Sequence, residues 1–159
     1  SMEHQAITIL RYISLLQRNT RRYFDFMLEQ DQIGSGQQFF LLRIFENDGI
    51  SMQDLARLGS FDKGTVTRAV QKLVSEGYVR TEADPQDKRV RHIYLTERAR
   101  PLIDHVYQIR DYWTEALTRG LRDEEKQRLL GALRDMAERS SATLEALSGG
   151  ETDPAFPLS

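Results

Sequence analysis

The sequence predicts a mainly α-helical protein that carries one small β-hairpin. Over most of its 159 residues, apolar side chains recur at the spacing of amphipathic helices. The spacing changes to a period of two in the short runs 78–83 and 91–96. A polar segment rich in turn-forming residues, 84–90, joins these runs, which predicts that they pair as a hairpin.

The first third of the chain is predicted to form two helices. A long helix is expected over 3–31, because one helical face carries Ile9, Ile13, Leu16, Tyr23 and Met27. The run 33–36 contains two glycines and is expected to break it. A second helix over about 37–47 is expected to lie buried at the centre of the fold, because it carries Phe39, Phe40, Leu42, Ile44 and Phe45.

Two shorter helices and the hairpin are predicted next. Ser51 is expected to cap a helix that ends near Leu58, and Asp62 is expected to cap one that ends at Gly77. After the hairpin, helices are predicted over about 97–119, capped by Thr96 and Glu97, and over about 123–147. The tail 149–159, with its glycines and prolines, is expected to be disordered.

The outer helices carry apolar stripes that have no obvious cover within the chain. The last helix has a seam suited to a close helix pair, formed by Leu133, Ala137, Ser140, Leu144 and Leu147. We therefore predict a homodimer in which residues 3–148 form one domain. Within it, residues 3–31 and 97–148 form the helical dimerisation region and residues 32–96 form a separate module. Packing within a single chain is the alternative.

Composition excludes several classes of function. Cysteine is absent, so disulfides, thiol sensing and thiolate metal sites are excluded. No apolar run is long enough to span a membrane and no secretory pattern begins the chain, so a cytoplasmic location is expected. No phosphate-binding loop, nucleophile elbow or metal-spaced cluster is present, and His4, His92 and His105 lack ligand spacing. The sequence therefore predicts neither an enzyme nor a metal or cofactor site.

Charge is unevenly distributed along the chain. The formal net charge is −2, which does not by itself indicate binding to nucleic acid. Residues 62–96, however, hold seven basic and five acidic residues, so positive charge is modestly concentrated in the helix after Asp62 and in the hairpin.

The helix after Asp62 has two chemically different faces. On a helical wheel, Val66, Val70 and Leu73 fall on one side, and small, polar or basic residues fall on the other. A helix that enters the major groove of DNA needs such a division. The predicted DNA contacts on this helix are Lys63, Gly64, Thr65, Thr67, Arg68, Gln71 and Lys72. Arg68 and Gln71 are long enough to reach base edges. An ordinary solvated helix face is the alternative.

The predicted hairpin places Lys88, Arg89 and Arg91 at its tip. A guanidinium there can enter the minor groove, where narrow A·T segments have a deepened negative potential. A solvated loop is the alternative. The order of a capped helix, a glycine stop and then a basic hairpin favours contact with DNA.

This segment resembles the MarR family of bacterial transcriptional regulators. The resemblance rests on residues 62–79, 84–91 and 93–97, and on the family's wing pattern, which falls here on Asp87, Arg89, Leu95 and Thr96. It implies a homodimer of two winged helix-turn-helix modules that read a near-palindromic operator in duplex DNA. Arg89 then takes the minor-groove position, and Asp87 orients that arginine or a neighbouring group without touching DNA.

Many members of that family release DNA when a small aromatic or phenolic acid binds between the dimer helices and the winged module. The resemblance therefore implies an effector, for which the candidate residues are Tyr12, Arg18, Phe39, His105, Tyr107 and Trp113. Core packing is the alternative for each aromatic residue. We expect a sequence-specific regulator that acts as a repressor. A winged-helix module that contacts other proteins is the second hypothesis.

Overall fold

The computed structural model describes the backbone of residues 2–150 and the side chains of residues 8–150. Residues 151–159, most of the predicted disordered tail, lie outside the described residues, as does the side chain of His4. The chain divides into two compact units between Tyr112 and Trp113.

The described elements follow the predicted order. They are α1 (Met2–Met27), a 3-10 helix (Glu29–Asp31), α2 (Ser35–Glu46), α3 (Met52–Leu58), α4 (Lys63–Ser75), β1 (Val79–Ala83), β2 (Arg91–Leu95), α5 (Ala99–Leu117) and α6 (Asp123–Ser148). The prediction of a mainly α-helical winged helix-turn-helix chain with one hairpin is confirmed.

The connection between the first two helices differs from the prediction. α1 ends at Met27, and the 3-10 helix replaces its last predicted turn. The predicted break at 33–36 is also too long, because Ser35 and Gly36 already belong to α2. The Asp25 carboxylate accepts a hydrogen bond from the Ser35 N–H at 2.7 Å. This side chain supplies the partner that the first turn of α2 would otherwise lack.

The core of the first unit is built around α2. Its buried side chains come from α1 through α5 and both strands: Phe24, Leu28, Ile33, Phe40, Leu41, Leu42, Ile44, Leu55, Val66, Ala69, Val70, Leu73, Tyr78, Val79, Ile93, Ala99, Leu102, Ile103, Val106 and Ile109. The predicted central position of α2 is confirmed, since the helix contacts α1, α3, α4 and β2. Phe45 is the exception, because it lies on the outer face of α2 and is 47% exposed.

The hairpin follows α4 directly. Gly77 has a φ of +80°, which lets the chain leave the helix in the left-handed conformation and turn into β1. β1 and β2 pair antiparallel, with Val79 opposite Leu95 and Ala83 opposite Arg91. The segment before α3 flanks β2, because the Gly49 N–H donates to the Ile93 carbonyl at 2.8 Å. The wing is therefore joined through β2 to the body of the helix-turn-helix.

The second unit contains the end of α5 and all of α6. No residue of α6, Asp123–Ser148, is buried. Five of its large apolar side chains are each at least 40% exposed in the single chain: Leu129, Leu130, Leu133, Met136 and Leu144. Leu147 is half-buried.

In the first unit, the Thr96 hydroxyl donates to the Gly77 carbonyl at 2.6 Å and so ties the end of α4 to the beginning of α5.

Candidate nucleic-acid interface

The N-terminus of α4 is fixed by the predicted cap. The Asp62 carboxylate accepts hydrogen bonds from the Thr65 backbone N–H at 2.7 Å and from the Thr65 hydroxyl at 3.0 Å. These bonds hold the pKa of Asp62 below its usual value, and the backbone bond has the larger effect. The cap is therefore ionised at neutral pH. The cap therefore sets where the outer face of α4 begins.

The two faces of α4 differ as the sequence predicts. Val66, Ala69, Val70 and Leu73 are buried. The exposed residues among the predicted contacts are Lys63, Gly64, Arg68, Gln71 and Lys72, while Thr65 and Thr67 are half-buried. This outer face is free of bulky apolar groups over its first two turns, which leaves it open to a groove.

The polar side chains on this face differ in how firmly they are held. The Thr67 hydroxyl donates to the Lys63 carbonyl at 2.8 Å, so it is directed back along the helix. Lys72 forms an ion pair with Glu76 at 3.2 Å. Arg68 donates a long hydrogen bond to the Thr65 hydroxyl, at 3.4 Å, and its guanidinium is also attracted by Asp62. A hydrogen bond of this length holds the guanidinium weakly.

The loop between β1 and β2 is organised by two aspartates. One oxygen of Asp84 accepts hydrogen bonds from the backbone N–H groups of Gln86 and Asp87, at 2.8 and 3.1 Å. This arrangement is an Asx-type turn, which fixes the backbone of the loop without a longer strand pair. The second aspartate, Asp87, then holds the residue at the tip.

Asp87 and Arg89 form a tight local pair. Nε and Nη2 of Arg89 donate to the two carboxylate oxygens at 3.0 and 3.1 Å, and the Arg89 backbone N–H donates to Oδ1 at 3.1 Å. The pair lowers the pKa of Asp87 and raises that of Arg89. The Arg89 side chain is nevertheless 91% exposed. Asp87 thus sets the orientation of the Arg89 guanidinium, while most of the side chain faces solvent.

The recognition helix and the wing border a common cleft of about 580 Å³. Four of the predicted contact residues line it, namely Lys63, Thr67, Arg89 and Arg91. Arg91 is held by the Thr81 hydroxyl at 2.7 Å. A second cleft, of about 400 Å³, brings Arg91 together with Thr67 and Gln71. Helix and wing contacts that are far apart in sequence therefore belong to one surface.

His92 lies on β2 beneath this surface and is not among the residues predicted from the sequence to form the interface. Its Nδ1 is 2.8 Å from the Gly49 carbonyl oxygen, and its Nε2 is 2.8 Å from Oδ2 of Asp84. Helical spacing could not reveal this contact. The hairpin register could have done so, because it pairs His92 with Glu82, two residues before Asp84.

The six candidate effector residues occupy different surroundings. Tyr12 is exposed on α1, and Arg18 donates to the Ser14 hydroxyl at 2.6 Å. Phe39 packs against the rings of Phe40 and Phe61. His105 lies 3.8 Å from Asp31, and the Tyr107 hydroxyl donates to Glu46 at 3.1 Å. Trp113 belongs to the second unit.

Two other kinds of site are absent from the described residues. Between residues 8 and 150, no group of three or more histidine, aspartate or glutamate side chains is arranged to hold a metal ion. Among the helices that the structure describes, none is both long enough and apolar enough to cross a membrane.

Comparisons with known proteins agree with this architecture. A sequence profile of the MarR family matches residues 35–90. A MarR transcriptional regulator from Methanosarcina mazei superposes with a TM-score of 0.80 at 35% sequence identity, over 86% of this chain and 98% of that chain. The uncharacterized HTH-type transcriptional regulator YybA of Bacillus subtilis is 28% identical over 125 residues, which cover 79% of this chain and 83% of the relative.

A third relative was solved together with its target. A MarR variant from E. coli, complexed with operator DNA, superposes with a TM-score of 0.74 at 25% identity, over 86% of this chain and 98% of that chain. These relatives are regulators, so the prediction that the protein is not an enzyme is confirmed. The wing pattern, the fold and the extent of these matches lead to one conclusion: the chain belongs to the MarR family of transcriptional regulators.

Proposed function

We propose that this protein is a homodimeric, sequence-specific DNA-binding repressor of the cytoplasm that a small-molecule effector releases from its operator. The observation that carries the proposal is the shared surface of α4 and the wing, on which Lys63, Thr67, Arg89 and Arg91 border one cleft. Cationic and hydroxyl groups arranged along a helix and a hairpin complement the negative charge of duplex DNA.

The proposed division of labour follows from how each side chain is held. Arg68 and Gln71 are exposed on the outer face of α4, so they read base edges in the major groove. Arg89 projects from the wing with its orientation set by Asp87, so it anchors the minor groove. Lys63, Thr65, Thr67, Lys72, Lys88 and Arg91 contact phosphates, and Gly64 allows the backbone to approach the duplex.

Dimerisation is proposed from the apolar side chains that the single chain leaves exposed. On α1, such residues are Ile9, Leu10, Tyr12, Ile13, Leu15 and Leu16, each at least 39% exposed. α6 carries a comparable set. Contiguous exposed apolar patches mark interaction surfaces in soluble proteins. Residues 3–31 and 97–148 are therefore the dimerisation region, and residues 32–96 are the DNA-binding module.

Release by an aromatic or phenolic acid is proposed from a cluster between α2 and α5. The guanidinium of Arg43 lies 5.0 Å above the Phe39 ring, and that of Arg110 lies 4.8 Å above the Tyr107 ring. Among the described side chains, Nε of Arg43 is a buried donor without a hydrogen-bond partner. The Arg43 guanidinium also pairs with Glu46 at 2.7 Å, so a carboxylate on an aromatic ring would compete with Glu46 for it and stack beside Phe39.

The effector proposal is tested with 2-hydroxybenzoate as the probe. We expect the probe to raise the midpoint of thermal unfolding and to weaken DNA binding, and we expect Arg43→Gln to lose both effects. The matched control is Arg57→Gln, which breaks an exposed pair with Asp54 elsewhere on the surface. A response that Arg43→Gln retains would place effector binding elsewhere.

Two experiments test the core of the proposal. Selection of bound fragments from the source genome should recover near-palindromic sites with half-site centres roughly 34 Å apart. Light scattering should give a mass near twice the 18.4 kDa of one chain, whereas the mass of a single chain would contradict the dimer. If the selection enriches no sequence, and binding tolerates loss of Arg68 and Arg89, the winged helix serves protein–protein contact.

A further inference from the structure

The imidazole of His92 bridges two separate parts of the first unit. Nδ1 faces the Gly49 carbonyl oxygen at 2.8 Å, in the segment that leads into α3. Nε2 faces Oδ2 of Asp84 at 2.8 Å, at the start of the wing loop. The side chain is 26% exposed, so protons can still reach it.

Both neighbours of this ring are hydrogen-bond acceptors. A backbone carbonyl oxygen only accepts, and an ionised carboxylate only accepts. A neutral imidazole carries one N–H, so one of its two nitrogens would meet an oxygen lone pair at 2.8 Å. Only the imidazolium form, which has an N–H on each nitrogen, satisfies both contacts.

Asp84 is the charged partner in this arrangement. Its other oxygen accepts the N–H groups of Gln86 and Asp87, which stabilises the carboxylate. The His92 contact first, and then these backbone bonds, hold the pKa of Asp84 below its usual value. The proton therefore resides on His92, whose pKa is raised by Asp84 and by the Gly49 carbonyl.

The surroundings of the ring favour the same protonation state. The charged groups on the elements packed around it are Asp84 and Asp87 in the wing loop, Glu82 and Arg80 on β1, Asp54 and Arg57 on α3, and Asp48 beside Gly49. Arg80 pairs with Glu82, Arg57 pairs with Asp54, and the neighbouring Arg91 donates to the Thr81 hydroxyl. Asp84 is the carboxylate that contacts His92, and Asp54 adds a weaker attraction.

We propose that His92 is a positioning residue for the wing, which as an imidazolium joins the wing loop at Asp84 to the helix-turn-helix body at Gly49. Asp84 organises the loop that ends in the Asp87–Arg89 pair. Through Asp84, His92 therefore fixes where Arg89 stands relative to α4. The consequence for DNA binding rests on the proposed function, but the protonation and the contact do not.

The direction of the pH dependence follows from the contact. Folding raises the pKa of His92 above its ordinary 6.5. The contact therefore stabilises the folded wing fully below pH 6.5, and this stabilisation is lost as pH rises through the pKa of His92 in the folded protein. The wing is joined to the body at lower pH and loosens at higher pH. If the contact raises this pKa by one unit, the equilibrium constant for attachment of the wing to the body changes by about tenfold between the two protonation states.

Asp84→Asn gives the sharpest test, because it reverses the donor requirement. The asparagine oxygen can still accept the Gln86 and Asp87 N–H groups, while its amide donates to Nε2 of a neutral His92. Neutral His92 then satisfies both of its neighbours. We expect nuclear magnetic resonance titration of the ring to give a pKa above 6.5 in the wild type and a lower one in Asp84→Asn.

DNA binding supplies the second readout. Wild-type affinity should fall relative to that of Asp84→Asn as pH rises through the His92 pKa, and Glu97→Gln should follow the wild type. Glu97 is a suitable control because its side chain is 92% exposed and its ion-pair partner is Arg100. Ring titrations that coincide in wild type and Asp84→Asn would overturn the proposal. If no protein binds DNA at any pH, the proposed function fails, while the ring titration still decides the role of His92.

Discussion

Replacing Arg89 with alanine tests how the wing contributes to binding. The side chain is 91% exposed and its hydrogen bonds run to Asp87 in the same loop, so its loss removes no core contact. We therefore expect the midpoint of thermal unfolding to stay unchanged. All of the effect should appear in the affinity for DNA.

The size of the effect follows from the number of charges removed. A dimer carries two copies of Arg89, and a guanidinium in the minor groove lies close to the phosphates of both strands and displaces counterions. The variant therefore loses about two such cations, and the slope of log K against log salt becomes shallower by about 1.8. When salt is raised from about 50 to about 200 mM, the wild type is therefore expected to lose about twelvefold more affinity than the variant loses.

Fluorescence anisotropy of a labelled operator duplex across that salt range measures both slopes. The matched control is Arg100→Ala, since Arg100 is 76% exposed and its partner is Glu97, 3.6 Å away and outside the proposed interface. The control should keep the wild-type slope. Equal slopes for Arg89→Ala and the wild type would refute a DNA contact by the wing arginine.

Three further substitutions separate the roles assigned to α4 and the wing. Asp87→Asn removes a negative charge near DNA, and the reduced repulsion of the phosphates would by itself tighten binding. Because the substitution also weakens the hydrogen bonds that orient Arg89, we expect weaker binding, measured by anisotropy. Arg68→Ala should relax preference at one base position by about 1–3 kcal/mol in competition with single-base variants, and uniform weakening would make Arg68 a phosphate contact. Leu73→Ala, at a fully buried position, should lower the free energy of unfolding by about 2–5 kcal/mol in urea titration, and the exposed Val74→Ala by far less; equal losses would contradict the orientation of α4.

The helix-turn-helix could be predicted closely because its boundaries are set by local chemistry. Ser51 and Asp62 accept backbone N–H groups of the helices that follow them, as their positions in the sequence indicate. Gly77 takes the left-handed conformation that ends α4. The period of two predicts both wing strands. Each is one residue shorter than predicted, because β1 begins at Val79 and β2 ends at Leu95.

The errors arise where distant residues decide the outcome. Periodicity predicts a helix to residue 31, but α1 ends at Met27. The 3-10 helix that follows lies between two buried side chains, Leu28 and Ile33. Ser35 begins α2 because Asp25, ten residues earlier, satisfies its N–H. Of the two His92 contacts, the one with Gly49 joins residues 43 positions apart, and no local pattern encodes it, whereas the hairpin register already brings His92 near Asp84.

Preference for a defined duplex is the most direct test of sequence-specific DNA binding by this protein. Equilibrium competition should compare the operator recovered by genomic selection with a scrambled duplex of the same length and base composition, at physiological salt. We expect binding to the operator that is tighter by roughly a thousandfold or more and that saturates at two chains per duplex. Equal affinity for the two duplexes would contradict sequence-specific recognition by α4 and the wing.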